Sequence, residues 1–326
     1  MKEEFADLVI SGCDFSGTTT QIDGLADYLS SNNYKIRDLR GSEREAMFHS
    51  EAMKEFNEDY VSFGEFLKDD MITETRKQRA KNELDKLTKL TDFKISSMVH
   101  NEISEYINPD SADVWIMEEP TRRGAGQTVR GFELYRSQFG SEMNPIAAAL
   151  AHQAYRSEEF YRFRKILREK GKIIIRSRSE ESACYQIQDE INLPDGISKE
   201  QYLSLPGHKI AFGNSPTNIF LVVGPADWKP IDYATLKGQR CGNRLLDDHE
   251  KNFEYQIMVN KRYATDWIEN LYEEGCKMHK GKVPEITRFD IYDSKEQVIN
   301  KMISKLESIV NKSQNKEYVS SILEEE

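Results

Sequence analysis

The stretch "GCDFSGTTTQ", Gly12 to Gln21, constrains the fold of this chain more than any other. It follows a short apolar run, Leu8-Val9-Ile10, and precedes Ile22, Leu25, Ala26 and Leu29 at helical spacing. A buried strand, two glycines with four residues between them, and then a helix make the frame of a phosphate-binding loop. The glycines let the backbone curl until its amides point inward, and the helix N-terminus adds its dipole. Such a loop normally carries Lys between the second glycine and a hydroxyl residue; here Thr18 stands in that place. The amide cradle does not depend on the missing side chain. Gly12, Cys13, Asp14, Ser16, Gly17, Thr18, Thr19 and Thr20 are therefore expected to hold the phosphates of ATP, with the Thr19 hydroxyl on Mg²⁺.

The rest of the chain reads as strands alternating with helices. Strands are expected at Lys35–Leu39, Val114–Met117, Lys172–Ile175 and Ile219–Val223. Asn144-Pro145 starts a helix that runs to Gly171, with Asn suited to the cap and Pro to the first turn. Asp248 begins a long helix through Phe253, Ile257, Trp267 and Leu271. Ser294 and Gln297 form a capping box ahead of Val298, Met302 and Leu306. This alternation predicts an α/β, three-layer sandwich of the P-loop NTPase type, a parallel sheet with helices on both faces. Its core is expected over residues 1–41 and 113–326. Residues 42–112 are poor in glycine and proline and dense in charge, which predicts a mostly helical insertion.

The 326 residues carry 45 basic and 56 acidic side chains, a net charge of −11. That balance excludes a chain-wide basic footprint for nucleic acid but leaves room for a local basic pocket. The four cysteines show no paired spacing and read as reduced thiols. The N-terminal apolar run is too short for a signal peptide, and no run approaches the ~18 residues of a membrane span. A cytoplasmic location is the expectation.

Three further motifs follow strands in order: "EEPTRRGAGQTVR" at Glu118–Arg130, "RSRSEESACYQ" at Arg176–Gln186, and "RLLDDHEKNFEYQIMVNKRY" at Arg244–Tyr263. Together with the loop they resemble the thymidylate kinase family of nucleoside monophosphate kinases, over most of the chain outside about 34–112. The resemblance implies ATP- and Mg²⁺-dependent phosphoryl transfer to a nucleoside monophosphate, and a homodimer through core helices. It implies an acceptor site formed by Asp14, Glu119, Pro120, Arg122, His152, Arg156, Arg178, Ser182, Tyr185 and Gln186. Within it Arg178 grips the acceptor phosphate, Arg156 reads the base, and His152 stands where the family stacks a phenylalanine. Asp14, Arg178 and Arg244 take catalytic positions, with Arg240 a second candidate beside Arg244, and Glu119 joins Thr19 at the metal.

The sequence departs from the family at Thr18, at Ser177 in place of the motif aspartate, and at Ser179 in place of an aromatic residue. Residues 187–206, where the lid is expected, hold no arginine and a single lysine, Lys199. A second reading therefore stands beside the kinase: a kinase fold that holds a nucleotide with little or no turnover.

Overall fold

The computed structural model describes residues 5–40, 109–120, 129, 145–187, 197–240 and 251–324. The chain divides into two units, Met1–Arg40 with Ala112–Glu326, and Gly41–Ser111. All but a few described residues belong to the first. The helical content expected of residues 42–112 falls, up to residue 108, outside the described residues.

Six strands form one parallel sheet: β1 (Ala6–Gly12), β2 (Ile36–Asp38), β3 (Val114–Glu118), β4 (Ile173–Ser177), β5 (Asn218–Val223) and β6 (Glu285–Asp290). Their order is β2-β3-β4-β1-β5-β6. The apolar runs read as strands because they are covered on both faces: β1 is buried throughout and β5 nearly so. The chain leaves β1 for the far β2 edge, works back to β4, and then passes β1 to reach β5. The carboxyl end of β1 is thus the reversal point of the sheet, where such folds open a crevice.

Helix α1 (Thr18–Ser31) packs with the last helix, α9 (Lys295–Glu324), against β1. The expected capping box of α9 is formed, Gln297 N–H donating to Ser294 Oγ at 3.2 Å and Ser294 N–H to Gln297 Oε1 at 2.8 Å. The helix expected from Asn144 to Gly171 begins at Pro145, and Gly171 ends it with a left-handed φ of 63°. It is not regular between those points. A π-helical turn at Phe160–Arg164 separates α2 (Pro145–Glu159) from α3 (Lys165–Glu169). The turn aims Arg164 and Arg168 at Asp7, a fully buried carboxylate on β1.

Two short helices follow β4, α4 (Lys199–Ser204) and α5 (His208–Ala211), and α6 (Pro230–Arg240) follows β5. The long helix expected from Asp248 is two, α7 (Phe253–Ala264) and α8 (Trp267–His279). The break falls at Thr265, whose ψ of −176° is extended. Strand β6 lies at the sheet edge with Glu285 and Asp290 exposed; its mixed polar composition hid it in the sequence. No helix of the described residues is long and apolar enough to cross a membrane.

Candidate functional site

The loop between β1 and α1 is tightly curled. Ser16 N–H donates to the Cys13 carbonyl at 3.1 Å, and both Phe15 and Gly17 are left-handed, with φ of 64° and 83°. Gly17 is the N-cap of α1 and supplies no side chain to its free amides, so they stay open to a ligand. Gly12 is required by contact. A Cβ there would lie 2.4 Å from the Val222 carbonyl on β5 and 2.6 Å from Ser16 Oγ. Gly12→Ala is accordingly expected to force the loop off the sheet and destabilise the fold by about 1–3 kcal/mol, the scale of overpacking. Urea denaturation reads the loss, and nucleotide titration reads the distorted loop. Cys13 is buried, which together with Asp14 pushes its thiol up and keeps it protonated.

Arg178 leaves the carboxyl end of β4 and turns back over the loop. Its backbone is left-handed (φ 71°) and its N–H donates to the Ile10 carbonyl at 3.1 Å. Its Nη2 donates to Asp14 Oδ1 at 2.9 Å, and its guanidinium lies 5.0 Å from the centre of the Tyr185 ring. Gln256, from α7, donates to Asp14 Oδ2 and accepts from the Asp14 N–H at 3.2 Å. Gln256 and Asn260 were missed as site residues. Both are fully buried, and two amides four residues apart on a core-facing helix were the available signal.

The loop, Asp14 and Arg178 line a cavity of about 910 Å³ at the reversal point of the sheet, with Gln256 behind Asp14. Its walls include Cys13 to Gln21, Glu118, Glu119, Ser177 and Arg178, then Arg240 and the turn from Ile291 to Lys295. The loop residues, Asp14, Glu119 and Arg178 are brought together. Arg240 is the surprise in position. The described part of the expected lid, Ile187 and residues 197–206, does not line the cavity, whereas the end of α6 does. The element over the loop is the one after β5.

Arg156 is not where the resemblance put it. It is buried, donating from Nε to Glu119 Oε2 at 2.9 Å and from Nη2 to the Ser179 carbonyl at 2.7 Å, and it does not line the cavity. Glu119 Oε1 is also taken, by Arg176 Nη1 at 3.2 Å. Both oxygens accept from guanidinium groups, while the residue itself stands on the cavity wall. His152 is buried with its ring edge on Tyr155, away from the cavity wall. Ser182 and Gln186 belong to the turn around Glu180–Tyr185 and do not line the cavity either; of that segment Tyr185 alone meets Arg178. Pro120 follows β3 and lies off the cavity wall. Arg122 and Arg244 fall outside the described residues.

The charges behind the site are paired in layers. Burial alone would raise the Glu180 carboxyl, but Arg176, Arg156 and Arg164 hold it down at about 2. Glu181 goes the other way, raised by burial and by Glu119. Arg156 Nη1 reaches Tyr202 Oη at 3.3 Å, and the Tyr202 ring packs at a tilt on His208 with 4.2 Å between ring centres. Among the described residues neither ring nitrogen of His208 has a hydrogen-bond partner, and burial pulls its pKa down to about 3. The folded protein therefore resists a proton that the unfolded chain accepts near its ordinary value of ~6.5. Stability from this residue is full above that pH and is lost as pH falls toward 3, at up to ~1.4 kcal/mol per unit. His208→Phe is expected to flatten the pH dependence of the denaturation midpoint between about pH 6 and 4.

Among the described residues no group of three or more His, Cys, Asp and Glu side chains could hold a metal. Thr19, exposed on the first turn of α1 and on the cavity wall, does fit as one hydroxyl ligand to a cation carried by phosphates.

The parallel sheet, its reversal at β1 and the curled loop leading into α1 define the architecture. The fold is of the P-loop NTPase type. No family model matches the sequence, and no curated protein does. Among solved structures, a thymidylate kinase from Ehrlichia chaffeensis is similar over 93% of this chain and 99% of that chain, at 14% identity and a TM-score of 0.44.

Proposed function

We propose that this chain transfers the γ-phosphoryl group of ATP to a nucleoside monophosphate, dTMP or a related deoxynucleotide. The reading rests on one observation: Arg178 and Asp14, 164 residues apart, meet at the phosphate loop within one cavity. The triphosphate lies over the amides of residues 12–20. The forked guanidinium of Arg178 binds the acceptor phosphate, with Tyr185 beneath it and Asp14 fixing its orientation. An acceptor phosphate oxygen attacks the γ-phosphorus in line, the bond to the β-phosphate oxygen breaks, and ADP leaves. Mg²⁺ bound with ATP near Thr19 supplies neutralisation of phosphate charge. The loop side chains add no cation, so positioning by the loop amides and by Arg178 carries more of the work.

The lock between Arg156 and Glu119 favours a second reading, nucleotide binding with little turnover, because it turns the Arg156 guanidinium inward, off the cavity wall. One experiment separates the two. The protein is incubated with ATP, Mg²⁺ and a panel of nucleoside monophosphates, and diphosphate formation is read beside calorimetric ATP binding. Diphosphate with one acceptor supports the kinase. ATP heat without diphosphate supports the binding protein. No ATP heat sinks both.

A further inference from the structure

We propose that Arg240 is the cation of the phosphate loop, serving from α6 in place of the lysine that Thr18 replaces. The proposal rests on the loop being a phosphate site, and it assigns the residue that makes up the loop's lost charge.

Arg178, Arg240 and Lys295 are the cations on the wall of the cavity among the described residues. Arg178 belongs to the acceptor side, bound to Asp14. Lys295 stands exposed at the start of α9. Arg240 bonds the loop itself. Its Nη1 donates to the Phe15 carbonyl at 2.9 Å and its Nη2 to the Ile291 carbonyl at 2.8 Å. A Cβ on Gly17 would lie 3.9 Å from Nη1, so the charge sits beside the residue that precedes Thr18.

The position is held at two points. Phe15 is pushed into a left-handed conformation, and its ring packs on Tyr233, a fully buried residue of α6, with ring centres 5.8 Å apart. Tyr233 thus fixes the body of α6 to the loop while Arg240, at its end, fixes the turn. A guanidinium has five N–H donors in a fixed plane. Among the described residues two are spent on the carbonyls, and the others can turn to phosphate oxygens. A lysine inside the loop reaches the outer phosphates from below; Arg240 reaches them from across the cavity with a bidentate fork. Thr18 is tolerated because the charge was moved, not lost.

The test is a double-mutant cycle read by calorimetry with Mg²⁺-ATP and with inorganic tripolyphosphate. Arg240→Gln, which removes the charge and leaves one polar amide, is expected to weaken both ligands about tenfold to a hundredfold. Thr18→Lys in the Arg240→Gln background is expected to restore most of that loss, because it returns a cation to the loop. A lysine at 18 cannot repair a merely structural contact between Arg240 and Phe15, so rescue separates charge from packing. Lys237→Ala is the control. Lys237 is on the same helix but lies over Phe253 at 4.7 Å and off the cavity wall, and its loss should leave both affinities unchanged. Wild-type affinity in Arg240→Gln, or no rescue by Thr18→Lys, overturns the proposal while leaving the phosphate site standing. Absence of binding by the wild-type protein overturns the phosphate site and this proposal with it.

Discussion

Arg178→Ala is expected to weaken the acceptor nucleotide by about 1.5–3 kcal/mol, the range for a hydrogen bond to a charged group, while ATP affinity changes little. The arginine is a quarter exposed at the cavity wall, close enough to Asp14 to be oriented and open enough to take an anion. Arg178→Lys should not recover the loss, since an ammonium cannot make two parallel bonds to one phosphate. Arg178→Gly is the informative companion. The backbone at 178 is left-handed, which costs a non-glycine residue roughly 1–2 kcal/mol. Glycine should therefore give a more stable protein than alanine with the same loss of acceptor. Acceptor titrations and urea denaturation on the three variants read both effects. Unchanged acceptor affinity in all three would remove the acceptor site from this cavity.

Asp7→Asn is expected to destabilise the fold by about 3–5 kcal/mol, the cost of leaving buried charge unpaired. Asp7 is fully buried and accepts from Arg176 Nε at 2.8 Å and Arg168 Nε at 3.0 Å, with Arg164 Nε 3.6 Å away. Burial would raise this carboxyl, but Arg176, Arg168 and Arg164 together hold it well below the ordinary carboxylate range. An amide keeps the size and loses the charge that compensates three guanidinium groups. The pH response has a definite sign. A depressed carboxyl stabilises the fold above the unfolded value of ~3.9 and stops doing so as pH falls below it. Wild type should thus lose stability on the acid side of that value, and Asp7→Asn should show a shallower acid limb from a lower plateau. Denaturation midpoints across pH 2–7, about the whole acid range, measure both.

What the sequence disclosed was local. The first strand, the glycine loop and the start of α1 are adjacent in the chain, and the Ser294–Gln297 box is a four-residue contact. The end of β4 could be placed because a run of three isoleucines names a buried strand and Arg178 must follow it. The pairings decided by the sheet were not legible. Arg156 was correctly on a helix, but its partner Glu119 comes from the end of β3, and nothing within the helix says which way the guanidinium turns. Asp7 reads as an interruption in an apolar strand until α3 and β4 arrive beside it. Arg240 was visible as a basic residue near Arg244, yet its place over the loop depends on α6 folding back from β5 onto Phe15.

The wide turn at Phe160–Arg164 holds a surplus residue relative to an α-helical turn. Removing one residue there would restore ordinary helical bonding, and because the wide turn covers about the same angle with one residue more, Leu167 would still face the core and Arg168 would still face Asp7. A single-residue deletion in the regular turns on either side has no such slack, and every side chain beyond it would swing by about 100° around the axis. The surplus residue is thus the one position along this segment where the chain can shorten by a single step without losing its address on the sheet. A change of about seven residues, two full turns, would leave its phase almost untouched.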